Sequence, residues 1–156
     1  VIVGASKVDH LLYEILNRYL LPKLAKAKKQ DELLEGDGPL ATFSARIKMC
    51  QRLGLINESL CFTLEQLRAL RNLSAHSIVF DAAKSPVRDH VAEIRKRIAG
   101  RQSFQLTKER YFDGSPFKTI DELQCLLLTI CVLLEAIQEK ITTTNGNKST
   151  LSIATR

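Results

Sequence analysis

Asn57-Glu58-Ser59-Leu60-Cys61-Phe62-Thr63-Leu64-Glu65-Gln66-Leu67-Arg68-Ala69-Leu70-Arg71-Asn72-Leu73-Ser74-Ala75-His76-Ser77 carries a clear helical signal. Leu60, Leu64, Leu67 and Leu70 recur every three or four residues, the repeat of one helix face; a half-buried strand would alternate every second residue. Asn57, just ahead of the run, has the short amide side chain that caps a helix N-terminus, so the pattern predicts a helix over 57–77.

The same period extends outward in both directions. Leu11, Leu12, Ile15, Leu16, Tyr19 and Leu20 predict a first helix over 6–28. Gly36-Asp37-Gly38-Pro39 reads as a turn, with Pro39 in the first turn of a second helix over 39–53 that bears Phe43, Ile47, Cys50 and Leu53 and stops at Gly54. Ser85-Pro86 opens a fourth helix carrying Val87, Val91, Ile94 and Ile98, ended by Gly100. From 101 to 118 the pattern is irregular, with a short β-like piece at 103–106 and a turn at Asp113-Gly114-Ser115-Pro116. Thr119 is expected to cap a long last helix, apolar nearly all round, which suits a bundle centre or a subunit interface. The expectation is an all-α bundle of about five helices, one domain over 1–141, with 142–156 a flexible polar tail. The start Val1-Ile2-Val3-Gly4, lacking Met, reads as a trimmed first helix.

Composition fits that picture. A chain of 156 residues with 45% hydrophobic and 26% charged residues is long enough to bury one core and is neither collagen-like nor wholly disordered. Its longest nearly unbroken apolar run, Cys125 to Leu134, is interrupted only by Thr129 and falls short of the roughly 18 residues of a membrane span. Cys50, Cys61, Cys125 and Cys131 lie within helical patterns at spacings unlike those of zinc sites, and read as reduced core thiols of a cytoplasmic protein. No phosphate-binding glycine loop is present, and neither a metal nor a cofactor is expected.

The net charge is +6. Between Lys84 and Arg110 eight basic residues face three acidic ones, a local net charge of +5, so the excess is concentrated there. Arg88, Arg95, Lys96, Arg97 and Arg101 make this stretch the candidate nucleic-acid contact; as a plain alternative it is a solvated cationic face. Lys23, Lys26, Lys28 and Lys29 form a smaller basic cluster. The corner Gly54-Leu55-Ile56-Asn57 superficially suits a helix-turn-helix, but the helix after it begins with Glu58 and Glu65 and no cation, the wrong sign for phosphate. His10 and His90 read as surface or packing histidines.

The end of the third predicted helix carries the most chemistry. Arg68, Asn72 and His76 stack at i, i+4 and i+8 on its polar side. Arg71 falls on the flank of the apolar arc, where a guanidinium needs a carboxylate, backbone carbonyls or an anionic ligand. One reading is structural: Arg71 pairs with an acid on a neighbouring helix while Asn72 and His76 tie down the helix end. The other is catalytic, with His76 as base and Arg71 stabilising charge on phosphate during RNA cleavage. The R-x4-H spacing with Asn after Arg resembles the motif of HEPN-type ribonucleases. A straight helix, however, points the two side chains about 140° apart.

A second segment, Gly38-Pro39-Leu40-Ala41-Thr42-Phe43-Ser44-Ala45-Arg46-Ile47 with its exit Gly54-Leu55-Ile56, combines with Arg71-Asn72-Leu73-Ser74-Ala75-His76-Ser77. Together they resemble the bacterial mannitol operon repressor family, which shares the glycine-proline turn, the Phe-Ser-Ala-Arg run, the Gly-Leu-Ile exit and the Arg-Asn-x-x-Ala-His-Ser ending. The resemblance covers 6–77 well and the rest in outline. It implies a compact all-helical fold and a role in negative transcriptional regulation. The expected protein is a repressor or co-repressor, a homodimer through its last helix, that binds a regulatory protein or DNA. Arg46, Asn72, His76 and the Gly38-Pro39 turn would shape the shared surface and Arg71 would anchor it. In the competing reading the protein is an enzyme and RNA is the substrate.

Overall fold

A computed structural model describes residues 1–20, 31–76, 80–112 and 117–144, with side chains through 141. Among these residues the chain forms six helices and no strand: α1 (Ile2–Tyr19), α2 (Phe43–Arg52), α3 (Glu58–His76), α4 (Val87–Ile98), α5 (Gln102–Phe112) and α6 (Thr119–Thr144). Together they make the expected all-α fold.

Helix α6 packs along α1 and also touches α4 and α5, while α3 lies against α4, α2 and α1. The stripes that set the helical period meet inside. Leu12, Ile15 and Leu16 of α1, Leu64, Leu67 and Leu70 of α3, and Leu126, Ile130 and Leu134 of α6 are fully buried. Each such side chain contributes about 2 kcal/mol of burial, and nine of them across three helices anchor the domain. Three threonines are buried too, and each satisfies its hydroxyl one turn back. Thr63 donates to the Ser59 carbonyl (2.9 Å), Thr107 to Ser103 (2.8 Å) and Thr129 to Cys125 (2.8 Å). The polar break at Thr129 therefore leaves the apolar helix intact.

Several predicted boundaries move. Helix α1 starts at Ile2 rather than at Ser6, because Ala5 and Val8 extend its buried stripe by a turn. It ends at Tyr19, well before Lys28, since Leu20 is already extended (ψ 153°). The lysine cluster of 23–29 lies outside the described residues. Helix α2 starts at Phe43, not at Pro39. Thr42 caps it by accepting from the Ala45 N–H (3.2 Å), and Pro39 sits in the preceding turn.

That turn is built from both ends. The Asp31 carboxylate accepts from the Leu33 and Leu34 N–H groups (2.8 and 3.0 Å), and the Leu40 N–H donates to the Leu33 carbonyl (2.9 Å), so Leu34 and Leu40 enter the core. Gly54 ends α2 as expected. Its φ of +69° lets the Leu55 N–H reach back to the Cys50 carbonyl (2.9 Å), the closure that favours glycine after a helix. Asn57 caps α3 through the Leu60 N–H (2.9 Å), also as expected.

The clearest correction is α5. Its segment was expected to be irregular with a β-like piece at 103–106, yet Gln102–Phe112 is helical. Only Phe104 and Thr107 are buried there and Leu106 is exposed, too short a stripe to register as a helical period. Packing against α6 supplies what the local pattern lacks. The expected turn at 113–116 lies outside the described residues. In α6 Thr119 is already helical, and the cap is Asp121, whose carboxylate accepts from the Lys118 N–H (2.9 Å). The helix runs to Thr144, past the expected tail boundary at 142; residues 145–156 lie outside the description.

The four cysteines form no disulfide. Cys50 and Cys125 are buried, and burial pushes the Cys50 thiol up to about 12. Among the described residues no helix is long and apolar enough to cross a membrane.

Candidate functional site

Because Leu60, Leu64, Leu67 and Leu70 turn one face of α3 inward, Arg68, Asn72 and His76 are carried outward along a single line. Helix α4 packs beside that line. The two helices enclose an open groove of about 360 Å³, walled by Arg68, Asn72 and His76, floored by Ala69 and Leu73, and closed on the α4 side by His90. Arg68 is steadied by Glu65, which accepts from its Nε (2.7 Å). His90 Nδ1 meets the Gln66 Oε1 at 2.7 Å. The amide oxygen can only accept, so Nδ1 carries the hydrogen and Nε2 of a neutral ring remains an acceptor. Asn72 and His76 are exposed and make no hydrogen bond among the described residues.

His90 is the groove residue that sequence reasoning missed. It lies beside the buried stripe Val87, Val91, Ile94 and Ile98, a position that marks it only as flanking a core face. Which helix that face meets is decided by packing.

Arg71 does not join the groove. It is exposed and forms no ion pair among the described residues, so the expectation of a costly, partly buried guanidinium paired with a neighbouring helix is corrected. Arg71 and His76 therefore share a helix, but Arg71 does not line the groove that His76 walls, as their angular separation implied.

Arg46 is committed inside the molecule instead of shaping a shared surface. Its Nη1 donates to Asp9 (2.7 Å), Nε to the Leu40 carbonyl (3.0 Å) and Nη2 to the Leu34 carbonyl (2.9 Å), and its guanidinium lies 5.3 Å from the Tyr13 ring centre. The Tyr13 hydroxyl in turn donates to Glu35 (2.7 Å). That bond, followed by burial, raises the phenol to about 12. This network fastens the 31–41 turn to α1.

The basic stretch is partly neutralised. Arg95 pairs with Glu122 across to α6, Lys84 with Asp81 (3.5 Å) and Arg88 with Asp89 (3.2 Å). Glu93 accepts from Lys96 and Arg97, which in that order hold its carboxyl below the usual range. Arg97 also covers the Phe62 ring at 3.8 Å. Two of these acids, Asp81 and Glu122, lie outside the stretch whose charge was counted, so folding weakens the patch that the sequence displays. Arg101 does not line the groove and forms no ion pair among the described residues.

No cluster of three potential metal ligands occurs among the described residues. No family model, curated protein or solved structure matches the chain.

Proposed function

We propose that this chain is a transcriptional regulator of the mannitol operon repressor type, acting as a non-enzymatic helical module whose α3–α4 groove docks a partner protein. The observation that supports the reading most is the state of Asn72 and His76. Both are exposed on a helix, beside an apolar floor and a positioned guanidinium, with no side-chain hydrogen bond among the described residues to lose when a partner binds. Such a groove offers a few directional contacts around an apolar strip, the make-up of a docking surface.

The test is a reporter driven by the mannitol-operon control region of the source organism. The Asn72→Ala/His76→Ala double variant is expected to derepress it while melting within about 1 °C of the parent, since exposed substitutions are usually close to neutral. A reporter indifferent to the double variant, or to deletion of the protein, would overturn the reading.

Metal-independent RNA cleavage is the second reading, and one observation favours it. His76 and His90 share the groove with Arg68, so a base, an acid and a phosphate clamp are available there, with Arg68 taking the role first considered for Arg71. In the same protein preparation, RNA cleavage lost in both His76→Ala and His90→Ala but kept in Arg71→Ala would replace the regulator with a nuclease.

The homodimer is proposed on α6. Leu128 is 40% exposed and Val132 46%, one turn apart, and Ile2 and Val3 at the start of the neighbouring α1 are also exposed. Sedimentation at tens of micromolar should show a dimer, and Leu128→Glu/Val132→Glu should yield monomers. A parent chain that sediments as a monomer removes the claim.

A further inference from the structure

The opposite end of α3 holds a second concavity, of about 330 Å³, where the α2–α3 corner and the α4–α5 junction meet the later turns of α6. Small-ligand pockets begin at about 300 Å³ and are mostly apolar with a few placed polar groups. This one has the volume of such a site, with apolar walls and a polar edge in about equal share. Ile56 and Leu60 wall one side, Leu133 and Ile137 the other, and the cations at its edge are Arg101 and Lys140. Among the described residues no acidic side chain lines it.

Arg101 differs from the three arginines that precede it in the basic stretch. Arg88, Arg95 and Arg97 each meet a carboxylate. Arg101 instead donates Nε to the Arg97 carbonyl (3.2 Å), and its two terminal nitrogens bond nothing among the described residues. The backbone contact fixes the plane of the guanidinium and leaves a two-donor edge available. That edge matches a carboxylate, which can accept two parallel bonds.

We propose that this pocket binds a small amphipathic carboxylate, its anionic head on Arg101 and its hydrocarbon body between the α2–α3 corner and α6. A bare inorganic anion would leave the apolar walls wet, and a neutral hydrocarbon would leave the guanidinium without a partner. The two features together select a molecule that carries both. The site is independent of the groove at the far end of α3, so the reporter and the binding measurement fail separately.

Octanoate is a suitable probe, compared by calorimetry with octanol and octylammonium on the full chain. Octanoate should bind saturably at one site, octanol about tenfold more weakly or worse, and octylammonium not at all, since a charge-assisted bond accounts for about that factor. Arg101→Gln should weaken octanoate about tenfold or more, Arg101→Lys should lose part of that by keeping the charge without the fork, and Ala136→Phe should fill the pocket and abolish binding. Circular dichroism melts establish that each variant folds; Ala136 is exposed and the Arg101 side chain makes a single hydrogen bond among the described residues, so neither change removes core packing. No saturable octanoate binding, equal affinity for octanol, or affinity unchanged in folded Arg101→Gln and Ala136→Phe would overturn the assignment.

Discussion

Replacing Arg46 with methionine is expected to lower the stability of the domain by about 3 kcal/mol, a fall in melting temperature of roughly 9 °C for a chain of this size. The side chain is only 12% exposed, and it bonds Asp9 together with the carbonyls of Leu34 and Leu40. Methionine keeps most of the packing volume but leaves one carboxylate and two carbonyls without a donor. Because Asp9 is 27% exposed, water recovers part of the loss, which places the effect at the low end for breaking a buried pair. Lysine can reach Asp9 but cannot also satisfy two carbonyls in a fixed fork, so Arg46→Lys should recover less than half of the deficit. A double-mutant cycle with Asp9→Asn should give a coupling of about 1 kcal/mol or more. Thermal melts of the single variants and of the double variant decide the matter, and Arg46→Met melting within about 1 °C of the parent would show that the network is not what holds the turn.

Gly38→Ala is expected to cost about 2 to 3 kcal/mol, or roughly 6 to 9 °C in a melt. A Cβ at this position would lie 2.6 Å from the carbonyl oxygens of both Glu32 and Leu33 and 2.8 Å from the Leu33 carbonyl carbon. All three are backbone atoms, which cannot rotate away as a flexible side chain would. The turn would have to open, stretching the Gly38 N–H to Glu35 carbonyl bond (2.9 Å) and drawing Leu34 or Leu40 out of the core. Pro39→Ala next to it is the control. Pro39 is exposed, so its loss acts mainly through the freedom of the unfolded chain and should cost about 1 kcal/mol or less. If Gly38→Ala melts no lower than Pro39→Ala, close backbone approach is not the reason for the glycine.

Gly54 makes a useful contrast. Nothing lies within 4 Å of a Cβ built there, and its requirement is the positive φ that closes α2. Two glycines of one motif thus serve different ends, one providing space and the other conformation. The segment Gly38 to Ile56 acts locally as a structural unit. Gly38 lets the turn close, Arg46 ties it to α1, and Gly54 redirects the chain into α3.

The readability of the remaining elements varies with how much of each was encoded nearby. Helices α3 and α4 could be read from apolar spacing because each buries a full stripe, and the line Arg68, Asn72, His76 followed from the same geometry. Helix α5 could not, since only Phe104 and Thr107 face inward and the exposed Leu106 mimics strand alternation. The groove was half legible. Its α3 side follows from helical period, whereas His90 enters only when α4 packs beside α3. The basic stretch was misleading in isolation because Asp81 and Glu122, which neutralise Lys84 and Arg95, come from outside it.

By itself, the sequence determined what depends on near neighbours: helical class, the cap at Asn57, the stop at Gly54, and which residues share the outer line of α3. Those properties arise from hydrogen bonds and sterics within about one helical turn. Tertiary structure alone decided that Arg46 is a fastener, that Arg71 stands outside the groove, that His90 stands within it, and that Arg101 meets no carboxylate among the described residues. Such outcomes depend on which groups distant in the chain come within hydrogen-bonding reach, and only the packed helices bring Asp9 to Arg46 or Glu122 to Arg95.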